Sequence, residues 1–74
     1  MLTTMTRRFT IEIEHEADGR WIAEIPDLSG VMAYGATREQ AVARVEALGL
    51  RVLAERIESG ETSAEPLDFA FVAA

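Results

Sequence analysis

From Arg8 to Glu16 apolar and polar positions alternate, with Phe9, Ile11 and Ile13 on one parity and Thr10, Glu12 and Glu14 on the other. Period two with β-branched residues predicts a half-buried strand. Arg20 to Ile25 predicts a second, setting Trp21, Ala23 and Ile25 against Ile22 and Glu24. The connection between them is a question of register. A two-residue turn at Asp18-Gly19 would pair Ile13 with Glu24 and put a carboxylate beside a core side chain. A three-residue loop, Ala17-Asp18-Gly19, pairs His15 with Trp21, Ile13 with Ala23 and Ile11 with Ile25. Every apolar residue of the first strand then shares a face with Trp21, Ala23 and Ile25, and a one-residue slip would invert the faces. Gly19 also stands where such a loop needs a left-handed residue.

Pro26 ends the second strand, and Asp27 suits a turn. Val31 to Gly35 is short and apolar on both parities, which predicts a third strand with some cover on each side. Thr37 and Gln40 form a capping-box pair, Glu39 suits the first turn, and Ala41 opens an apolar stripe. The stripe is read as Ala41, Val45, Leu48 and Val52, continuing to Ile57, with Val42, Gly49 and Leu53 beside it. Arg44, Glu46, Arg51, Glu55 and Glu58 lie opposite. Gly60 is placed to stop the helix, giving it about 20 residues, or roughly 30 Å. The stretch 59–66 reads as a connector ended by Pro66. Leu67, Phe69 and Phe71 then alternate along a last strand.

The order is therefore β-β-β-α-β, an α+β fold. The first three strands form an antiparallel meander, and the helix crosses back so that the last strand runs parallel to the first. Sheet order 3-2-1-4 follows, with a right-handed crossover. One helix covers one face. The other face carries Thr10, Glu12, Glu14, Arg20, Ile22 and Glu24, and no element remains to cover it.

Composition narrows the function classes. A chain of 74 residues forms one domain. At that size a core is marginal and is often supplemented by a partner or a second copy. Residues 1–6 are expected to be flexible and are too short and polar for a signal peptide. No apolar run approaches the roughly 20 residues that span a bilayer. The absence of cysteine excludes disulfides and thiolate metal sites and fits the cytoplasm. Seven Arg and no Lys stand against thirteen Asp and Glu, a net charge of −6. That balance argues against nucleic-acid binding and suits either solubility or a basic partner.

Candidate chemistry is sparse. His15 is the single histidine, and in a strand its neighbours Glu14 and Glu16 point away from it, so packing against Trp21 is the expected role. Ser29, Ser59 and Ser63 have no base beside them. Glu12, Glu14 and Glu24 could gather as paired carboxylates do in metal-dependent nucleases, but their spacing is equally that of a solvated strand face. Trp21 and Tyr34 could make a stacking platform for single-stranded nucleic acid, against which the charge argues. Gly49 inside the helix costs about 1 kcal/mol relative to Ala, which suggests close packing on the sheet or on a second helix. No catalytic residue, metal site or cofactor is expected.

The run from Ala17 to Glu61, ADGRWIAEIPDLSGVMAYGATREQAVARVEALGLRVLAERIESGE, resembles the HicB-like antitoxin family. The residues that carry the resemblance are Asp18 and Gly19, Trp21, Pro26, Asp27, Leu28, Gly30, Gly35, Thr37 and Ala41, in that order. Ser29 departs from the pattern, which often has a second proline there. The resemblance implies a partial RNase H-like fold without nuclease activity and the antitoxin role in a type II toxin–antitoxin pair. The partner it implies is HicA, a small basic mRNA interferase with a double-stranded-RNA-binding-like fold and a catalytic histidine, neutralised by covering its active site. Full-length members add a C-terminal DNA-binding domain. This chain matches the single-domain form, so operator binding is not expected of it.

The leading expectation is a cytoplasmic, non-enzymatic domain that occludes a basic toxin through the open sheet face and the 26–30 loop. Glu12, Glu14, Glu24, Asp27 and Leu28 are the expected contacts; Gly19, Trp21, Pro26, Gly30, Gly35 and Thr37 are the expected structural motif. Two rivals differ in class. One is a metal-dependent nuclease with a degenerate site. The other is a solitary homodimer or higher oligomer that associates through the helix stripe at Gly49 or the uncovered sheet face.

Overall fold

The structure, a computed structural model, describes residues 5–60 and 67–73, and the side chains of residues 7–60 and 70–73. It is an α+β fold in the order β1 (Met5–His15), β2 (Trp21–Glu24), β3 (Met32–Gly35), α1 (Arg38–Glu58) and β4 (Leu67–Ala73). The four strands form one sheet in the order β3-β2-β1-β4. β1 pairs antiparallel with β2 and parallel with β4, and β2 pairs antiparallel with β3. The expected element order and strand order are the observed ones. The connector expected up to Pro66 lies, from residue 61 to residue 66, outside the described residues.

The hairpin takes the register that the apolar positions demand: His15 faces Trp21, and Ile13 faces Ala23. Glu16 N–H donates to the Arg20 carbonyl at 2.7 Å, and Gly19 N–H donates to the Glu16 carbonyl at 3.0 Å. Gly19 has φ +92°, the left-handed residue that a three-residue loop requires. The ladder stops at Glu12–Glu24, so Ile11 and Ile25 do not pair as expected. Ile25 N–H instead donates to the Val31 carbonyl at 3.0 Å. Two turns lie between these residues, closed by Leu28 N–H to the Ile25 carbonyl and Val31 N–H to the Leu28 carbonyl, each at 3.0 Å. Val31 therefore belongs to the turn, and β3 begins at Met32.

β1 departs most from expectation. It begins at Met5 rather than Arg8, taking in two residues expected to be flexible. The sequence MTRR has no alternation to announce a strand. Backbone pairing recruits it, because Met5 to Ile11 form the ladder with Leu67 to Ala73. β2 pairs only with Glu12 to His15. The two neighbours of β1 therefore use different halves of it.

The core is formed by Phe9, Ile11, Ala23, Ile25, Leu28, Val31, Ala41, Val45 and Leu53, with Ile13, Trp21, Leu48, Val52 and Phe71 packed around it. The helix starts as expected at Thr37, whose Oγ1 accepts from Gln40 N–H at 3.1 Å. The return bond is displaced by one residue: the Gln40 side chain accepts from Ala36 N–H at 2.7 Å. The buried line on the helix is Ala41, Val45, Gly49 and Leu53, four residues apart, and not the line through Leu48 to Ile57. Ile57 is exposed. The shift follows from Gly49. Its missing side chain lets the helix settle on the sheet, where an added Cβ would lie 2.9 Å from Ile25 Cδ1 and 3.4 Å from Phe71 Cε1. Within the chain, this glycine lies against the sheet.

Candidate protein-binding face

The helix lies over β2 and β3 and touches β1 much less. The opposite face of the sheet is uncovered among the described residues. Register aligns its side chains in rows. Tyr34, Ile22 and Glu14 cross the sheet in one row, and Met32, Glu24 and Glu12 in the next. Thr10 with Val72, and Arg8 with Ala70, extend the face onto β4. Met32 is 43% exposed, Tyr34 40% and Val72 50%, while Ile22 is half-buried. Glu12, Glu14, Ile22 and Glu24 line a shallow depression of about 350 Å³.

Glu12 and Glu24 are direct cross-strand partners. Like charges in that position are destabilising. Among the described residues the one ion pair is Arg20 Nε with Asp18 Oδ2 at 2.8 Å, so none relieves the glutamates. Arg20, at the start of β2, is engaged elsewhere. Its backbone N–H donates to Asp18 Oδ1 at 3.0 Å, and its guanidinium lies 4.5 Å from the centre of the Tyr34 ring. The Arg20 amide, followed by its guanidinium, holds the Asp18 carboxyl below the ordinary value of 3.8. Arg44, at the edge, donates to the Tyr34 carbonyl at 2.9 Å.

The structure brings Glu12, Glu14 and Glu24 together, as expected. Asp27 is exposed on the turn after β2. Leu28 is not a contact residue: it is 1% exposed. The Ile25–Leu28 turn brings it back beneath the helix, with Cδ1 3.6 Å from where a Gly49 Cβ would stand. Burying a leucine there is worth about 1.5–3 kcal/mol, more than an exposed loop position offers it. Gly19 stands in the first loop and Pro26 and Gly30 in the second; Gly35 lies against the first turn of the helix, Thr37 caps it, and Trp21 packs around the core.

Sequence reasoning missed the apolar half of the face. Met32 and Tyr34 alternate with Ala33, but a strand with no polar residue gives parity no marker. Once Ile22 is assigned to the open face, its partner Tyr34 must follow. Trp21 and Tyr34 fall on opposite faces, so they form no joint stacking platform. Trp21 instead stacks on His15, with ring centres 4.2 Å apart and planes 6° apart. This is the packing role expected of the histidine.

Among the described residues no group of three or more His, Cys, Asp or Glu side chains is arranged to hold a metal ion. No helix among them is long and apolar enough to cross a membrane. Comparison with protein-family models, with characterised proteins and with solved structures finds no match to this chain.

Proposed function

We propose that this chain is a cytoplasmic, non-catalytic domain of the HicB-like antitoxin type, which binds and occludes a small basic HicA-like mRNA interferase. The observation that carries this reading is the face built by β1, β2 and β3. Glu12 and Glu24 stand directly opposite each other without a cation, beside Ile22, Met32 and Tyr34. Among the described residues, no ion pair offsets this like-charge pair. A cationic, partly apolar surface would remove the repulsion and cover the exposed side chains in one step. The net charge of −6 would steer such a partner toward the domain. The ordered motif from Asp18 to Ala41 is what directs the reading to this family.

The test is mixing with a purified HicA-like RNase, followed by sedimentation and an RNA-cleavage assay. The expected result is a complex whose formation suppresses cleavage and weakens as salt rises. Replacing both Glu12→Arg and Glu24→Arg should weaken binding by roughly tenfold or more, the scale of one close charge pair. Absence of a complex at micromolar concentration, with RNA cleavage unaffected, would sink the reading.

A further inference from the structure

The two edges of the sheet are not alike. β3 has four residues, and one of its carbonyls accepts from Arg44. β4 has seven residues, pairs with β1 on one side, and among the described residues has no strand on the other. Its sequence, LDFAFVA, carries one charge and no proline. Natural edge strands are usually kept short, charged or interrupted, which discourages pairing with another chain. β3 follows that rule and β4 does not.

The ground beneath β4 is also thin. Its ladder partner is the half of β1 that β2 leaves unpaired, so β4 and residues 5–11 form a two-stranded parallel ribbon. A two-stranded ribbon is marginal by itself. Phe9 and Phe71, with ring centres 5.8 Å apart, tie it to the core. The radius of gyration is 13.8 Å, where a compact domain of this length would have about 11 Å.

We infer that β4 is a homodimer interface, where two copies of this chain pair their β4 strands antiparallel about a two-fold axis to form one continuous sheet. A two-fold axis requires the same segment on both sides and makes the pairing antiparallel. The segment is complementary to itself. With the axis at Ala70, Asp68 falls opposite Val72 of the copy, so no charge meets a like charge. The joined sheet would run β3-β2-β1-β4 and back through the second copy, with a short β3 at each edge among the described residues. This inference is independent of the toxin reading, because the acidic rows lie on β1, β2 and β3, away from the joined edge.

The chain has no cysteine, which gives a clean test. Residues directly opposite across an antiparallel pair have Cα atoms about 4.5–5.5 Å apart, within the range that a disulfide spans. Ala70→Cys protein, treated with oxidised glutathione, should form a covalent dimer far faster than Met32→Cys protein. Unmodified protein should sediment at twice the 8.1 kDa chain mass. Ala70→Glu would sit opposite Arg8 within its own chain but against its copy at the axis, and should sediment as a folded monomer. A monomeric unmodified protein at about 100 µM, an assembly that Ala70→Glu leaves intact, or Ala70→Cys cross-linking no faster than Met32→Cys would each overturn the inference. If Ala70→Glu fails to fold, the comparison of the two cysteine variants decides. A failed toxin assay with a β4-linked dimer, or the reverse, separates the two proposals.

Discussion

Two glycines show how much a single missing Cβ can decide. A Cβ on Gly35 would lie 2.5 Å from the backbone nitrogen of Ala41 and 3.0 Å from its Cα. Backbone in a capped first turn cannot yield, so Gly35→Ala should destabilise by about 1–3 kcal/mol or more. At Gly49 the nearest atom is the tip of the Ile25 side chain, at 2.9 Å. A rotamer change there is opposed by burial but offset by about 1 kcal/mol of helix propensity. Gly49→Ala should therefore shift stability much less than Gly35→Ala. Denaturant midpoints of the two variants check the order, and equal losses would show that the Gly35 contact is soft. Neither reason was visible in the sequence. Gly35 read as the end of a strand and part of the structural motif, and Gly49 as a packing residue with its partner undecided. The same limit produced the error at Leu28. A leucine in a loop motif can be anchor or contact, and only the fold of the turn says which.

At the scale of elements, local chemistry was legible because it is local. The Thr37 cap, the hairpin register and the stop near Gly60 rest on neighbours within a few residues, and all three stand. What failed was where an element's limits depend on a distant partner: the start of β1, the first residue of β3 and the buried line on α1. The double turn between β2 and β3 illustrates both. Gly30 has φ +79° at the third position of the Leu28–Val31 turn, the place where a type II turn calls for glycine. Ser29 occupies the second position, where proline suits that turn, and it is exposed. Ser29→Pro is therefore expected to raise stability by about 0.4–1 kcal/mol through the unfolded chain. A lowered melting temperature would show that the Ser29 backbone is not in the conformation that proline requires.

For the whole molecule, strand order and the single covered face were legible because element count and alternation leave few topologies. The apolar share of the open face was not, since parity needs a polar residue to reveal it. Nor was the division of β1 between two partners. That division predicts uneven protection. In monomeric Ala70→Glu protein, amides hydrogen-bonded between residues 5–11 and β4 should exchange at least roughly tenfold faster than those of Ile13 and Ala23. Uniform protection along β1 would mean that the strand opens as one unit. The same division sets an order of assembly. The hairpin joins residues close in sequence, whereas Met5 meets Leu67 nearly a whole chain length later. Contacts that close long loops come late. During synthesis the first half of β1 lacks its ladder partner until Leu67 to Ala73 have left the ribosome. The beginning of β1 is thus completed by a strand made much later than its end, and deletion of residues 67–73 would leave Met5 to Ile11 without a ladder while Glu12 to His15 kept theirs.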